Sequence, residues 1–136
     1  MKKTERLQLF NRIFLKYARE MWIHSGDCGK DRRAYSIISR KEIILPRDSF
    51  SNPSEWDIIV LLHEIGHIKT NRDSMRVYEK EYLATQWSAD EARRLGFPVK
   101  QLWKDAFRDY ILEKRQMCLN RGGKNVADEE ELVVQW

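Results

Sequence analysis

Cysteine and long apolar runs are scarce in this 136-residue sequence, which contains two cysteines, three prolines and three histidines. Two cysteines are too few for the disulfide framework of a small secreted protein, and they fit a reducing compartment. No apolar run approaches the roughly 20 residues that span a bilayer, and charges interrupt the amino-terminal stretch where a signal peptide needs an unbroken apolar run. We therefore expect a cytoplasmic protein without a membrane segment.

A strong excess of one charge is also lacking. The formal net charge is only +4, although charged residues make up 34% of the chain. A first amphipathic helix is predicted from about Thr4 to about Ile23, with one basic face. No stacking aromatic residues alternate with the basic ones, so we favour solvated surface there over a nucleic-acid interface, which stays a further hypothesis.

The segment "IVLLHEIGHIKTNRD", residues 59–73, contains two of the three histidines. Its apolar residues have helical spacing. Asn52 suits an N-cap, Pro53 suits the first helical position, and Glu55 stands where a capping-box glutamate would. The sequence therefore predicts a helix from about Pro53 to about Thr70.

On such a helix His63 and His67 lie one turn apart on the same face, where both imidazoles can bind one cation. Glu64 lies beside them and can reach a water molecule at that cation without binding the metal itself. A catalytic zinc lowers the pKa of water to about 7, and Glu64 would move its proton to the leaving nitrogen. Gly66 is a poor helix residue, and its missing side chain predicts the close approach of another segment or of a substrate. Two histidines that merely belong to the core are the alternative, but they would need no glutamate at that position.

The third protein ligand has two candidates. The extended pattern H-E-x-x-H-x-x-G-x-x-H would have a glycine at position 70 and a ligand at position 73, where this sequence has Thr70 and Asp73. Threonine resists the positive φ that such a turn often uses. The other candidate is Glu81 on the following predicted helix, where Ala84 and Ser88 share its face and predict close packing. We favour Glu81 and keep Asp73 open.

The motif H-E-I-G-H followed by E-Y-L-A-T-Q-W-S resembles the ImmA/IrrE family of small intracellular zinc metallopeptidases, whose second motif reads roughly E-x-x-A-N-x-F-A. The resemblance implies that His63, His67 and Glu81 bind one zinc ion and that Glu64 is the catalytic base. Thr85 replaces the asparagine of the family motif. The implied substrate is another intracellular protein, such as a transcriptional repressor of a phage or mobile element.

The rest of the chain predicts an α+β fold in which helices pack around a small antiparallel β-sheet. β-Branched residues on both sides of Arg40 and Lys41 predict a hairpin, whose edge strand is a candidate to receive a peptide substrate. A last helix is predicted after Pro98 and ends at about Asn120. Residues 124–136, called here the 124–136 segment, are acidic and then apolar. For this segment, pairing with a neighbouring chain and a place in the substrate groove both stay open.

We predict one zincin-like metallopeptidase domain over residues 1–136, which hydrolyses peptide bonds of a protein substrate with one zinc ion. Tyr78, Tyr82, His24 and an arginine from the loops are chemically able to stabilise the oxyanion, and the oligomeric state is left open. The alternative function is a non-cleaving, zinc-containing binding or regulatory module that acts through a protein partner. Glu64 separates the two functions, because a structural zinc site has no use for it.

Overall fold

The chain forms five α-helices and one small β-sheet, which confirms the predicted α+β class. A computed structural model describes residues 1–136. Its elements are α1 (Lys3–Tyr17), β1 (Trp22–Ser25), β2 (Tyr35–Ile37), β3 (Glu42–Leu45), α2 (Asp48–Ser51), α3 (Glu55–Thr70), α4 (Val77–Leu95) and α5 (Gln101–Asn120), with short 3-10 helices at Ile38–Arg40 and Glu129–Leu132. None of the helices combines the length and the apolar character needed to cross a bilayer.

The three strands form a mixed sheet with β3 in the middle. β1 runs parallel to β3 and β2 runs antiparallel to it, so the prediction of an antiparallel sheet is wrong. The error arose because the predicted first helix extended to Ile23, whereas α1 ends at Tyr17. Met21 and Ile23 are buried and Trp22 is exposed, which is the alternation of a strand. Over so few residues this alternation is hidden within the helical pattern that precedes it.

The predicted hairpin is formed by β2 and β3, with Tyr35 paired to Ile44. Its turn contains no glycine. A short 3-10 helix leads into Lys41, and this lysine adopts the left-handed conformation, with φ 48°, that glycine often supplies in turns. β2 is an edge strand of the sheet and packs against α3. The hairpin therefore places a free strand edge beside the helix that carries both histidines of the motif.

Helix α3 lies at the centre of the molecule. It begins later than predicted, because Ser54 is the N-cap: its hydroxyl accepts a hydrogen bond from the Asp57 backbone N–H (3.0 Å), while the Asp57 carboxylate accepts one from the Ser54 N–H (2.8 Å). This is a capping box. Five apolar side chains of the helix are completely buried: Ile58, Ile59, Leu61, Leu62 and Ile65.

Helices α3 and α4 pack very closely where Gly66 faces Ala84. A Cβ atom added to Gly66 would lie 2.5 Å from the carbonyl oxygen of Ala84. Ala84, Thr85 and Ser88 are all fully buried along this contact. The close approach that the sequence predicted at Gly66 is therefore confirmed, and the approaching segment is the helix that carries Glu81.

Candidate metal centre

Three side chains from α3 and α4 converge on one point. The Nε2 atom of His63 lies 3.0 Å from Oε2 of Glu81 and 3.1 Å from Nε2 of His67, and His67 Nε2 lies 3.2 Å from the same carboxylate oxygen. His63 and His67 belong to α3 and Glu81 belongs to α4. The structure thus brings together the three residues that the sequence proposed as ligands, and this group can hold a metal ion.

The spacing and the chemistry of these atoms fit a first-row divalent cation. Two nitrogen ligands and one oxygen ligand at 2.0–2.2 Å from a tetrahedral ion would be about 3.3 Å apart. The observed separations of 3.0–3.2 Å are close to that value. Neutral imidazole and carboxylate also form the donor set of a catalytic zinc site, which leaves a fourth position open.

The orientation of His63 is fixed by two neighbours outside the triad. The Thr85 hydroxyl lies 3.4 Å from His63 Nδ1 and donates its own hydrogen bond to the Glu81 backbone carbonyl at 2.7 Å. A hydroxyl oxygen that already donates in this way is free to accept from the Nδ1–H group of His63. That contact leaves the lone pair of Nε2 directed at the triad. On its face, the His63 ring stacks on Phe107, with 4.9 Å between the ring centroids.

The electrostatics of the triad favour an ionised carboxylate between the imidazoles. Burial raises the pKa of Glu81, but hydrogen bonds with His63 and His67 outweigh this effect and lower that pKa to about 2. Burial lowers the pKa of His67, but the hydrogen bond and the charge of Glu81 outweigh it and raise that pKa. The carboxylate thus attracts positive charge to the triad, which a proton or a metal cation can supply.

Glu64 is buried beside the triad and does not belong to it. Burial raises its pKa, while the nearby His63 and His67 and the Ser36 hydroxyl act in the opposite direction without cancelling the rise. A carboxylate with a raised pKa is a stronger base. Ser36 belongs to β2, so the edge strand and the candidate base are direct neighbours.

The triad and Glu64 share one cavity of about 520 Å3. Its apolar wall comes from four parts of the chain and consists of Ala34, Leu45, Pro46, Trp56, Val60, Ala106 and Phe107, with Tyr110 at the same wall. Asp31, Arg32 and Arg33 contribute charged groups from the loop between β1 and β2. Arg32 is paired with Asp48, which leaves Arg33 as the unpaired cation at the cavity. The cavity that contains the candidate base therefore also offers an apolar surface and a hydrogen-bond donor.

The other residues considered from the sequence lie elsewhere. Asp73 is exposed and lies outside the metal-binding group. Tyr78, Tyr82 and His24 do not line the cavity. The Tyr78 hydroxyl accepts a hydrogen bond from the Ala127 N–H, and His24 contacts Glu42 at 2.6 Å. These three side chains are therefore poorly placed to stabilise an oxyanion.

Sequence reasoning missed the roles of Thr85, Phe107 and Tyr110 around the site. In the sequence Thr85 stands out only as a departure from the family motif, and Phe107 and Tyr110 have the helical spacing of a buried stripe of α5. The helical period of α5 does identify the face that carries Phe107, but it does not indicate that this face meets His63. The contact between Phe107 and His63 is seen only in the packing of α5 on α3 and α4.

Comparisons of the chain with protein-family models, curated proteins and solved structures find no match. The resemblance of the two motifs to the ImmA/IrrE family stays a prediction. Any function assigned to the chain therefore depends on the positions of the side chains described above.

Proposed function

We propose that this protein is a zinc-dependent metallopeptidase with a zincin-like catalytic domain. One observation carries the proposal: the convergent triad of His63, His67 and Glu81 shares a cavity with the buried carboxylate of Glu64. A metal site that served only the fold would need no adjacent base and no cavity large enough for a peptide side chain.

In this proposal His63, His67 and Glu81 hold the zinc ion, which when bound supplies a Lewis acid that makes water a nucleophile near neutral pH. Glu64 accepts the proton of the attacking water at its carboxylate and then donates it to the nitrogen of the leaving amine. The raised pKa of Glu64 suits both steps, because the group must take up a proton and release it again. Tyr110 and Arg33 line the same cavity and are the donors that we propose for the oxyanion.

The proposed substrate is an extended peptide segment of an intracellular protein. The free edge of β2 can pair with the substrate backbone, and Ser36 of this strand adjoins Glu64. The apolar cavity wall suits an apolar side chain next to the cleaved bond. Both cysteines, Cys28 and Cys118, are free thiols, which supports a reducing cytoplasm as the place of action. The motif resemblance supports a regulatory target such as a transcriptional repressor of a phage or mobile element.

The test compares cells that produce wild-type protein, Glu64→Gln or Glu113→Gln. Glu113 is an exposed glutamate of α5 outside the cavity, so its substitution is the matched control. Removal of a general base lowers the rate by about 100-fold or more. We expect new protein amino termini in the cells with wild type and with Glu113→Gln, and their absence with Glu64→Gln.

Metal content of the three purified proteins completes the test. We expect one zinc ion per chain in each of them, because Glu64 does not belong to the triad. Equal sets of amino termini in all three strains, with zinc bound, would contradict peptide hydrolysis and favour the non-cleaving regulatory module. Loss of zinc from Glu64→Gln would instead place Glu64 among the ligands.

A further inference from the structure

The 124–136 segment is packed along α4 and α5 of its own chain. The Arg115 guanidinium donates a hydrogen bond from Nε to the Ala127 carbonyl at 2.7 Å, and the Tyr78 hydroxyl accepts one from the Ala127 N–H at 3.1 Å. Leu132 is buried against Tyr78 and Ile111. None of the residues of this segment lines the cavity of the triad. The segment is therefore an integral part of the fold and does not fill the substrate groove.

The last residues of this segment are held by polar side chains of α4. The Gln86 amide pairs with both backbone groups of Gln135: its Oε1 accepts from the Gln135 N–H at 2.8 Å, and its Nε2 donates to the Gln135 carbonyl at 3.0 Å. Arg93 donates to the same carbonyl at 3.0 Å. Three hydrogen bonds on one residue fix the position of the neighbouring Trp136.

Trp136 completes an aromatic stack that reaches the candidate metal centre. Its ring centroid lies 6.0 Å from that of Phe107, and the Phe107 ring is stacked on His63 at 4.9 Å with 29° between the ring planes. Trp56 packs on Phe107 as well, at 5.6 Å. These distances are those of favourable aromatic pairs. Phe107 is therefore enclosed by His63, Trp56 and Trp136 and has little freedom to turn.

We propose that the 124–136 segment is a positioning element of the metal site, in which Trp136 holds Phe107 against the ring of His63. A histidine ligand must keep its ring in the plane that directs Nε2 at the ion, and rotation about the bond to the ring is otherwise soft. Thr85 restrains one edge of the ring and Phe107 restrains one face. The proposal rests on the metal site of the proposed function, but it does not depend on peptide hydrolysis.

The test measures zinc and cobalt affinity by competition with a chromophoric chelator at fixed pH. Loss of an outer-shell partner of a metal ligand weakens binding by 10–100-fold, and for a packing contact we expect about tenfold in Trp136→Ala. Trp136→Phe keeps an aromatic ring against Phe107 and should retain most of the affinity. Gln86→Ala releases Gln135 and should weaken binding in the same direction. Val133→Ala is the control, because Val133 is an exposed residue of the same segment.

Two further readouts separate positioning from general loss of structure. Thermal unfolding of the metal-free proteins, followed by circular dichroism, identifies any variant that fails to fold. The visible absorption spectrum of the cobalt-loaded proteins reports on ligand geometry, and we expect it to change in Trp136→Ala but not in Val133→Ala. If Trp136→Ala does not fold, the Gln86→Ala variant provides the affinity and the spectrum.

The outcomes distinguish this proposal from the proposed function. Folded Trp136→Ala and Gln86→Ala proteins with wild-type metal affinity and an unchanged cobalt spectrum would overturn the positioning role and leave the metallopeptidase proposal intact. Wild-type protein that binds neither ion would overturn both. Weakened binding in the variants supports the positioning role even if wild type cleaves no protein.

Discussion

Gly66 shows how a single residue sets the distance between the two helices that carry the candidate ligands. It lies inside the H-E-x-x-H motif, between Glu64 and His67, and faces the backbone of Ala84 on α4. Glycine in a helix interior costs about 1 kcal/mol relative to alanine. Glycine is nevertheless required at this position, because any side chain would hold α4, and with it Glu81, away from the histidines.

Replacement of Gly66 therefore sets a gain in helix propensity against a steric clash. The new Cβ atom of Gly66→Ala would lie 2.5 Å from a backbone oxygen, which cannot move as a flexible side chain would. Forcing an additional group into a packed contact costs about 1–3 kcal/mol, which exceeds the propensity gain. We expect a net loss of about 1 kcal/mol in the free energy of unfolding, measured by urea denaturation of the metal-free protein.

The control is Asn11→Ala in α1, an exposed helical position where only the propensity term acts. This variant should be unchanged or slightly more stable than wild type. A Gly66→Ala protein that is more stable than wild type would show that α3 and α4 can separate at little cost.

Helices α1 and α4 are joined by a charged cluster around Glu91. The Glu91 carboxylate accepts hydrogen bonds from Lys16 at 3.1 Å and from Arg94, and its side chain is largely buried. Beside it Tyr17 packs edge-on against Trp87, with 5.7 Å between the ring centroids. Burial and the adjacent Glu91 charge raise the pKa of Tyr17 to about 12. The cluster ties the first helix of the chain to the helix that carries Glu81.

This cluster makes part of the stability dependent on pH. Burial raises the pKa of Glu91, but hydrogen bonds from Arg94 and Lys16 outweigh it, so the pKa is lowered in the folded state. The stabilisation is then fully present above the unfolded pKa of about 4.3 and is lost as the pH falls through the folded value. We expect the difference in Tm between wild type and Glu91→Gln to be largest near pH 7 and to shrink below about pH 4. Thermal unfolding across this range is the measurement, with Glu113→Gln as the exposed control; a constant difference would exclude the linkage.

The elements were predictable where local signals determine them. The period of apolar residues and the stop signals at Asn71, Gly96 and Gly122 identify α3, α4 and α5 to within a few residues. The strand β1 was not predictable, because only its parallel pairing with β3 distinguishes it from an extension of α1. Such pairing depends on contacts between distant residues, which local periodicity does not contain.

Across the whole molecule, the candidate ligands could be predicted and the cavity could not. His63, His67 and Glu81 follow from spacing on two consecutive helices, and the small residues of α4 indicate which face meets α3. The cavity wall is assembled from α3, α5 and the segments that flank the sheet. Trp56, Phe107 and Tyr110 contribute to it, although in the sequence they are ordinary apolar positions of amphipathic helices.

A metal ion that binds the triad must also stabilise the whole fold, because the ligands come from two different helices. A ligand present at 1,000 times its Kd adds about 4 kcal/mol to the free energy of unfolding. We expect zinc to raise the Tm of wild type. Glu81→Ala should show no such increase and should not bind the zinc ion. Asp73→Ala is the control and should behave as wild type, because Asp73 is exposed and outside the triad. An equal zinc response in Glu81→Ala would contradict the two-helix site.

The order of residues along the chain gives the aromatic stack a further consequence during synthesis. His63 and Glu81 are separated by 18 positions, whereas Gln86 and Gln135 are separated by 49. During synthesis α3 and α4 therefore leave the ribosome well before the 124–136 segment. On the positioning proposal, the newly made chain holds its ion loosely at first. It acquires a firm hold only when Trp136 has emerged and packed on Phe107, so that tight metal binding requires synthesis through residue 136.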